Sequence, residues 1–238
     1  IWISRLTVIV GPILALLLRD ELRGSLFYIV GAAMSLASAV LVMCVKFPFR
    51  APEEGVHLVS IDRFFLPRGA TIALVIALIT AALGIMMTTR MTVEFCSSVM
   101  AGFVVAALAL HIPAVKNARF ASAVGNALAI IAILAMFAHD DVFDATLKPM
   151  LFGFGIALSS SEQLYKLLNS CDHCQRSTAE STYFLSSDGG LFLGIAAGWQ
   201  LTTAVKSAEQ VVLALLVVAT IICSLNVLLK KKQAKHHA

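Results

Sequence analysis

Eight apolar runs, each about as long as a bilayer is thick, constrain this chain more than any other feature. They cover roughly residues 2–18, 26–45, 70–87, 93–111, 121–138, 149–168, 181–200 and 208–229, and their centres hold almost no charge. A helix needs about 20 apolar residues to cross a hydrocarbon slab of about 30 Å. Backbone facing lipid must satisfy its own hydrogen bonds, so only helices and closed barrels span membranes. A barrel strand would be about 10 residues long with strict alternation, whereas these runs are long and continuous. The expected fold is all-α, a polytopic membrane helical bundle. Composition agrees: 59% of the 238 residues are hydrophobic and 13% charged, against about a quarter charged in a soluble domain. The apolar excess runs the whole length of the chain, so it is not one core helix.

Orientation follows from the basic residues, which collect on the cytoplasmic side of short loops. With loops alternating from an inside N-terminus, Arg19, Arg23, Arg90, Lys148 and Lys206 fall outside, and the other thirteen of 18 Lys and Arg fall inside. Both ends of the segment are therefore expected in the cytoplasm. The net charge of +4 reads as topology and not as a nucleic-acid footprint. The chain opens at Ile1 directly in an apolar run, without the positive n-region and small-residue cleavage site of a secretory signal. The expectation is that an upstream part of the protein precedes Ile1.

The longest connection, residues 46–69, begins "KFPFRAPEEG", where two prolines and a glycine forbid a continuous helix. It continues "VHLVSIDRFFLPR", apolar residues among charges, which suits either a short interfacial segment or a plain linker.

Cys171-Asp172-His173-Cys174 looks like half of a metal site. A structural zinc needs four ligands, usually from two such couples. Cys44, Cys96 and Cys223 stand alone in or at the ends of apolar spans, so no second couple exists. Cytoplasmic thiols stay reduced, which argues against a disulfide. The motif reads as a polar turn, with no metal and no cofactor.

Asp188 is more informative, because it lies about eight residues inside the span counted from Ser181, roughly 12 Å deep. A charge at that depth costs several kcal/mol unless it faces protein or water, and it is a functional candidate by default. The plainer alternative is a carboxylate bonded to Ser186, Ser187 or a neighbouring helix. Gly190, Gly194 and Gly198 follow at four-residue intervals, a small-xxx-small stripe that lets another helix approach closely. Gly189 and Gly190 side by side loosen the helix locally.

Gly11-Pro12 in the first span, the long central loop and "CQRSTAESTYFLSSDGGLFLG" together resemble the major facilitator superfamily. In the last stretch, Arg176, Ala179, Ser181 and Tyr183 match the Arg-x-x-Ala-x-Ser-x-Tyr/Phe pattern that precedes a glycine-rich eleventh helix in bacterial members. The resemblance covers essentially the whole chain. It implies twelve helices in two six-helix halves, of which helices five to twelve are present. Residues 1–45 would then end the N-terminal half, 46–69 would be the central cytoplasmic loop, and 70–238 the C-terminal half with a basic tail. It further implies alternating access, a central cavity for a small solute, a bacterial inner-membrane location, and the missing N-terminal helices of the same chain as packing partners. Gly11-Pro12 matches the core of the family's antiporter motif, but Ala15 and Leu16 stand where that motif continues with glycines. Proline as such removes one backbone hydrogen bond and kinks its helix.

Coupling and substrate sites lie near the bilayer midplane. By depth the candidates are Asp188, Glu162, Gln163 and Asn126. Glu162 and Lys166 are four apart in the favourable helical order, which suits a self-neutralising pair. Ser159, Ser160 and Ser161 either meet substrate or bond carbonyls of their own helix. Arg90 and Glu94 sit near a span end, where snorkelling is cheap. A proton-coupled carrier needs a carboxylate that titrates near neutral pH, and Asp188 is the best placed for it, with Glu162 second. The expected function is a secondary active transporter, ion- or proton-coupled and not an enzyme. The alternatives are a membrane-embedded enzyme and a channel. His57, His111, His139 and His173 are scattered singly, without the paired clusters an enzyme would use, and no selectivity-filter signature or ring of like charge is visible.

Overall fold

Every regular element among the described residues is helical, and no strand occurs among them. The structure, a computed structural model, describes residues 10–11, 13–18, 25–44, 64–112, 121–137, 146–172, 175–202 and 205–236, the side chains of 27, 205–206 and 227–236 excepted. Pro12, Cys174 and most of the 46–69 connection lie outside these residues. The helices are α1 Ser25–Cys44, α2 Ala70–Thr89, α3 Val93–Ala109, α4 Ala121–Phe137, α5 Leu147–Asn169, α6 Arg176–Leu201 and α7 Val205–His236. Residues 10–11 and 13–18 are helical as well.

Each of the seven apolar runs from 26–45 onward therefore coincides with a helix over its described residues, and the differences sit at the ends. α6 begins five residues before its apolar run, because Arg176–Glu180 continue the helix as a polar turn. α7 continues past its run through the lysine-rich tail to His236. A 3-10 turn, Pro67–Gly69, leads into α2, with proline in the first turn, where a missing N–H costs nothing. Thr92 caps α3 by accepting a hydrogen bond from the Phe95 N–H at 3.2 Å, and Glu94 in the first turn complements the helix dipole.

Length and apolarity together are more selective than the eight runs suggested. Among the described residues, two stretches, Pro67–Thr89 and Ser207–Asn226, are long and apolar enough to cross a membrane; Tyr28–Cys44, Val93–Ala109 and Ala121–Phe137 are apolar but shorter. A 17-residue helix rises only about 25 Å, and α5 and α6 carry serines and charges along their length.

The helices associate in a definite pattern. α6 lies along α2, α5 lies between α3 and α4, and α7 packs against both α2 and α4. Ile79, Met86, Ile133, Phe152, Ile156 and Leu216 form the heart of the shared core, and Leu16 joins its edge. Full burial of each such side chain contributes about 1.5–3 kcal/mol. A second cluster, Leu66, Ile72, Ile76, Leu164, Leu167, Ala179 and Tyr183, closes the end near the α5–α6 turn. There the Leu66 N–H donates to Thr182 Oγ1 at 2.7 Å. The outward faces are apolar too: Phe192, Leu193 and Trp199 on α6 are all more than 60% exposed. All described residues of α1 are exposed.

Glycine sets how near the helices come. Gly190, Gly194 and Gly198 are buried and meet Ala77, Ala81 and Ile85 of α2 backbone to backbone, so a methyl group at any of them would overlap atoms of α2. From the other side, a Cβ on Gly84 would stand 2.6 Å from the Leu191 carbonyl oxygen. The helix that the glycine stripe admits is thus α2. Gly102 and Gly153 bring α3 onto α5, and Gly125 and Gly155 bring α4 onto α5, in the same manner. Gly189 has nothing within 4 Å of where its Cβ would be, as does Gly11.

Candidate functional site

Two polar regions are built into this apolar bundle, and they differ in how their hydrogen bonds are used. The first joins α4, α5 and α7. Glu162 accepts a hydrogen bond from the Ser122 N–H and pairs with Lys166 Nζ at 2.8 Å. Gln163 Nε2 donates to Ser122 Oγ at 2.6 Å and lies 3.4 Å from Cys223 Sγ. Ser122 Oγ is 3.4 Å from Ser159 Oγ, and Lys166 Nζ is 3.9 Å from Cys223 Sγ. Gln163 is 2% exposed and Ser122 1%. The local sequence explains the convergence. Ser159, Gln163 and Lys166 recur at helical spacing on one face of α5, and Gly125 and Gly155 bring α4 close enough for the short Ser122 side chain to reach them. Glu162 and Gln163 thus share one partner, Ser122. Asn126 follows Ser122 by one turn of α4, is wholly buried, and has no hydrogen-bond partner for either end of its amide.

The second region is a small cleft where α2, α3, α5 and α6 meet, lined by Thr80, Leu83, Phe103, Ile156, Ser160, Ser187 and Leu191. Its enclosed part, about 30 Å3, has room for one or two waters or a group of that size. All four helices reach it with their middle turns: Thr80 is central in α2, Phe103 in α3, Ser160 in α5 and Ser187 in α6. Two of its hydroxyls spend their protons on their own helices. Ser160 Oγ donates to the Ile156 carbonyl at 2.6 Å, and Thr80 Oγ1 to the Ile76 carbonyl at 3.0 Å. Their oxygen lone pairs are left as acceptors for the cleft. Ser161 likewise bonds back to Ala157 at 2.7 Å.

Asp188 belongs to neither network. It is exposed on α6, and no hydrogen bond or ion pair links it to another described residue. Ser186, one of the partners the plainer alternative offered it, donates to the Thr182 carbonyl at 2.7 Å instead. Asp188 follows the cleft-lining Ser187 and precedes the lining Leu191 by three residues, so it neighbours the cleft on the helix surface. Of the four candidates by depth, Glu162 and Gln163 are thus linked through Ser122, Asn126 stands one turn away, and Asp188 is separate.

An ion pair at one end of the bundle escaped the sequence. Arg90, at the end of α2, bonds Glu209 of α7, whose side chain is 4% exposed. The Arg90 guanidinium does not snorkel freely; it ties two helices 119 residues apart. Cys171 is a free thiol donating to the Leu168 carbonyl at 3.1 Å, and no group of three or more His, Cys, Asp and Glu suited to a metal ion occurs among the described residues.

No protein-family model matches this chain, and no curated protein matches it.

Proposed function

We propose that this chain is part of a polytopic α-helical membrane protein that carries a small solute across the bilayer by alternating access, with coupling to protons or another ion. The single observation that carries the reading is the mid-helix cleft. Four helices with apolar outer faces converge at the centre of their length on a largely apolar gap that holds three hydroxyls, of Thr80, Ser160 and Ser187. Substrate sites of secondary carriers lie there, near the midplane and between helices. The membrane setting is supported by two helices of crossing length and apolarity and by large exposed apolar side chains such as Phe192 and Trp199. It is supported also by the one-sided distribution of Lys and Arg, which agrees with both ends of the segment on the cytoplasmic side; a bacterial inner membrane is what the family resemblance implies. The resemblance to the major facilitator superfamily agrees with the reading. Asp188 is the coupling candidate, because it is an unpaired carboxylate in the middle turns of a lining helix.

The experiment is uptake by the full-length protein in proteoliposomes, with a panel of labelled cationic, anionic and neutral small solutes, measured with and without a pH gradient. Uptake of one class that exceeds empty liposomes and collapses with the gradient is expected. Absence of uptake for the whole panel overturns the reading, and uptake indifferent to the gradient overturns the coupling.

A further inference from the structure

We infer that the mid-helix cleft holds the protonated amino group of a small organic cation, with Asp188 at its mouth as the counter-charge. This deepens the transporter reading and rests on it for the cleft's role. Three observations converge. The first is donor–acceptor balance: Thr80 and Ser160 have committed their hydroxyl protons to carbonyls of their own helices, so both offer the cleft lone pairs. An ammonium group, with three donors and no acceptor, complements these two acceptors, whereas a carboxylate or phosphate would be left the Ser187 hydroxyl as its one side-chain donor in the lining.

The second is charge. Among the described residues of α2, α3, α5 and α6, the basic side chains lie toward helix ends, and the nearest to a helix centre, Lys166, is held by Glu162. In the middle turns, Asp188 alone among acidic residues stands without a partner. It is a surface neighbour of the lining Leu191 and adjoins Ser187 in the chain. A cleft with low-dielectric walls and one sign of charge concentrates the opposite ion.

The third is size and wall chemistry. About 30 Å3 is enclosed, which fits a head group and not a whole ligand. The remaining lining, Leu83, Phe103, Ile156 and Leu191, suits an apolar stem.

The test uses full-length protein in nanodiscs and three probes of one shape: benzylammonium, benzyl alcohol and benzoate. Binding is read as the rise in Tm with probe concentration, since a ligand that binds only the folded state stabilises it. Benzylammonium is expected to bind at least about tenfold more tightly than either analogue, as a charge pair beside low-dielectric walls allows. Asp188→Asn should remove most of that preference and Asp188→Glu should keep it. Ser160→Ala should weaken benzylammonium by about threefold and leave benzyl alcohol unchanged. Ser160→Ala also guards against an Asp188 variant that fails to fold. Equal binding of the three probes, a preference for benzoate, or no binding of any overturns the inference. Failure of the transporter reading looks different. Cation-selective binding without uptake in liposomes keeps this site and removes transport; gradient-driven uptake of an anion, unaffected by Asp188→Asn, keeps transport and removes this site.

Discussion

The α4–α5–α7 cluster and the α2–α3–α5–α6 cleft are both polar islands in an apolar bundle, yet their hydrogen bonds are spent in opposite ways. In the cluster, Ser122, Glu162, Gln163 and Lys166 satisfy one another. In the cleft, Thr80 and Ser160 turn their protons back onto the backbone and leave lone pairs facing open space, with an unpaired Asp188 alongside. The difference separates polar groups that hold a bundle together from polar groups left for something else to bind. Substitutions can test that division, because mutual satisfaction predicts a stability effect and openness predicts none.

The largest effect belongs to the scaffold beneath both regions. Gly194→Leu should abolish a folded, monodisperse protein in detergent, since even a methyl group there overlaps the Ala81 backbone of α2. Gly189→Leu, five residues earlier with open space around it, should elute as the parent does. Equal behaviour of the two on size-exclusion chromatography would break the account of the α2–α6 seam on which the cleft depends.

Next comes the cluster. Lys166→Met leaves a nearly buried Glu162 without its cation and should lower unfolding stability by about 2–3 kcal/mol. Adding Glu162→Gln to the same protein should restore most of it, because the uncompensated charge is then gone. A Lys166→Met protein with unchanged thermal stability would show that the cluster is not the fabric its geometry suggests.

How these regions stood in the sequence is instructive. The helices were legible because each apolar run is bounded by charges, prolines or polar turns, so element and boundary agreed within a few residues. That two stretches among the described residues pass for length and apolarity together was less legible: an apolar run sets no lower limit on the helix it makes, and α3 and α4 stop at 17 residues. The glycine stripe announced a close helix contact, but small residues carry no label for their partner, and α2 had to be found in space. Ser122 was overlooked for a similar reason. A serine near a span end is unremarkable until Gly125 brings it against Gln163. The Glu209–Arg90 pair joins residues 119 apart, and no local pattern connects them.

Asn126 sharpens the comparison from inside the cluster's side of the molecule. Its amide is fully buried with neither end bonded, and such a group costs about 1–3 kcal/mol relative to a satisfied one. Asn126→Leu should therefore raise thermal stability by about 1 kcal/mol while leaving uptake unchanged. A loss of uptake with stability intact would move Asn126 from the fabric to the open side of the division.

The smallest expected effect on stability is at Asp188, and it is the most informative. An exposed side chain without a partner among the described residues should tolerate Asp188→Asn within about 0.5 kcal/mol. In a soluble protein that would end the matter. In the membrane setting proposed above, the carboxylate shares its face of α6 with exposed Phe192 and Trp199, and a charge on an apolar face in a bilayer is retained only where it meets water, protein or a ligand. Thermal melts and uptake assays on one preparation separate these cases. A melt unchanged and transport lost puts Asp188 with the cleft. A melt lowered by more than 1 kcal/mol means the carboxylate has a structural partner, and the two regions then differ in degree and not in kind.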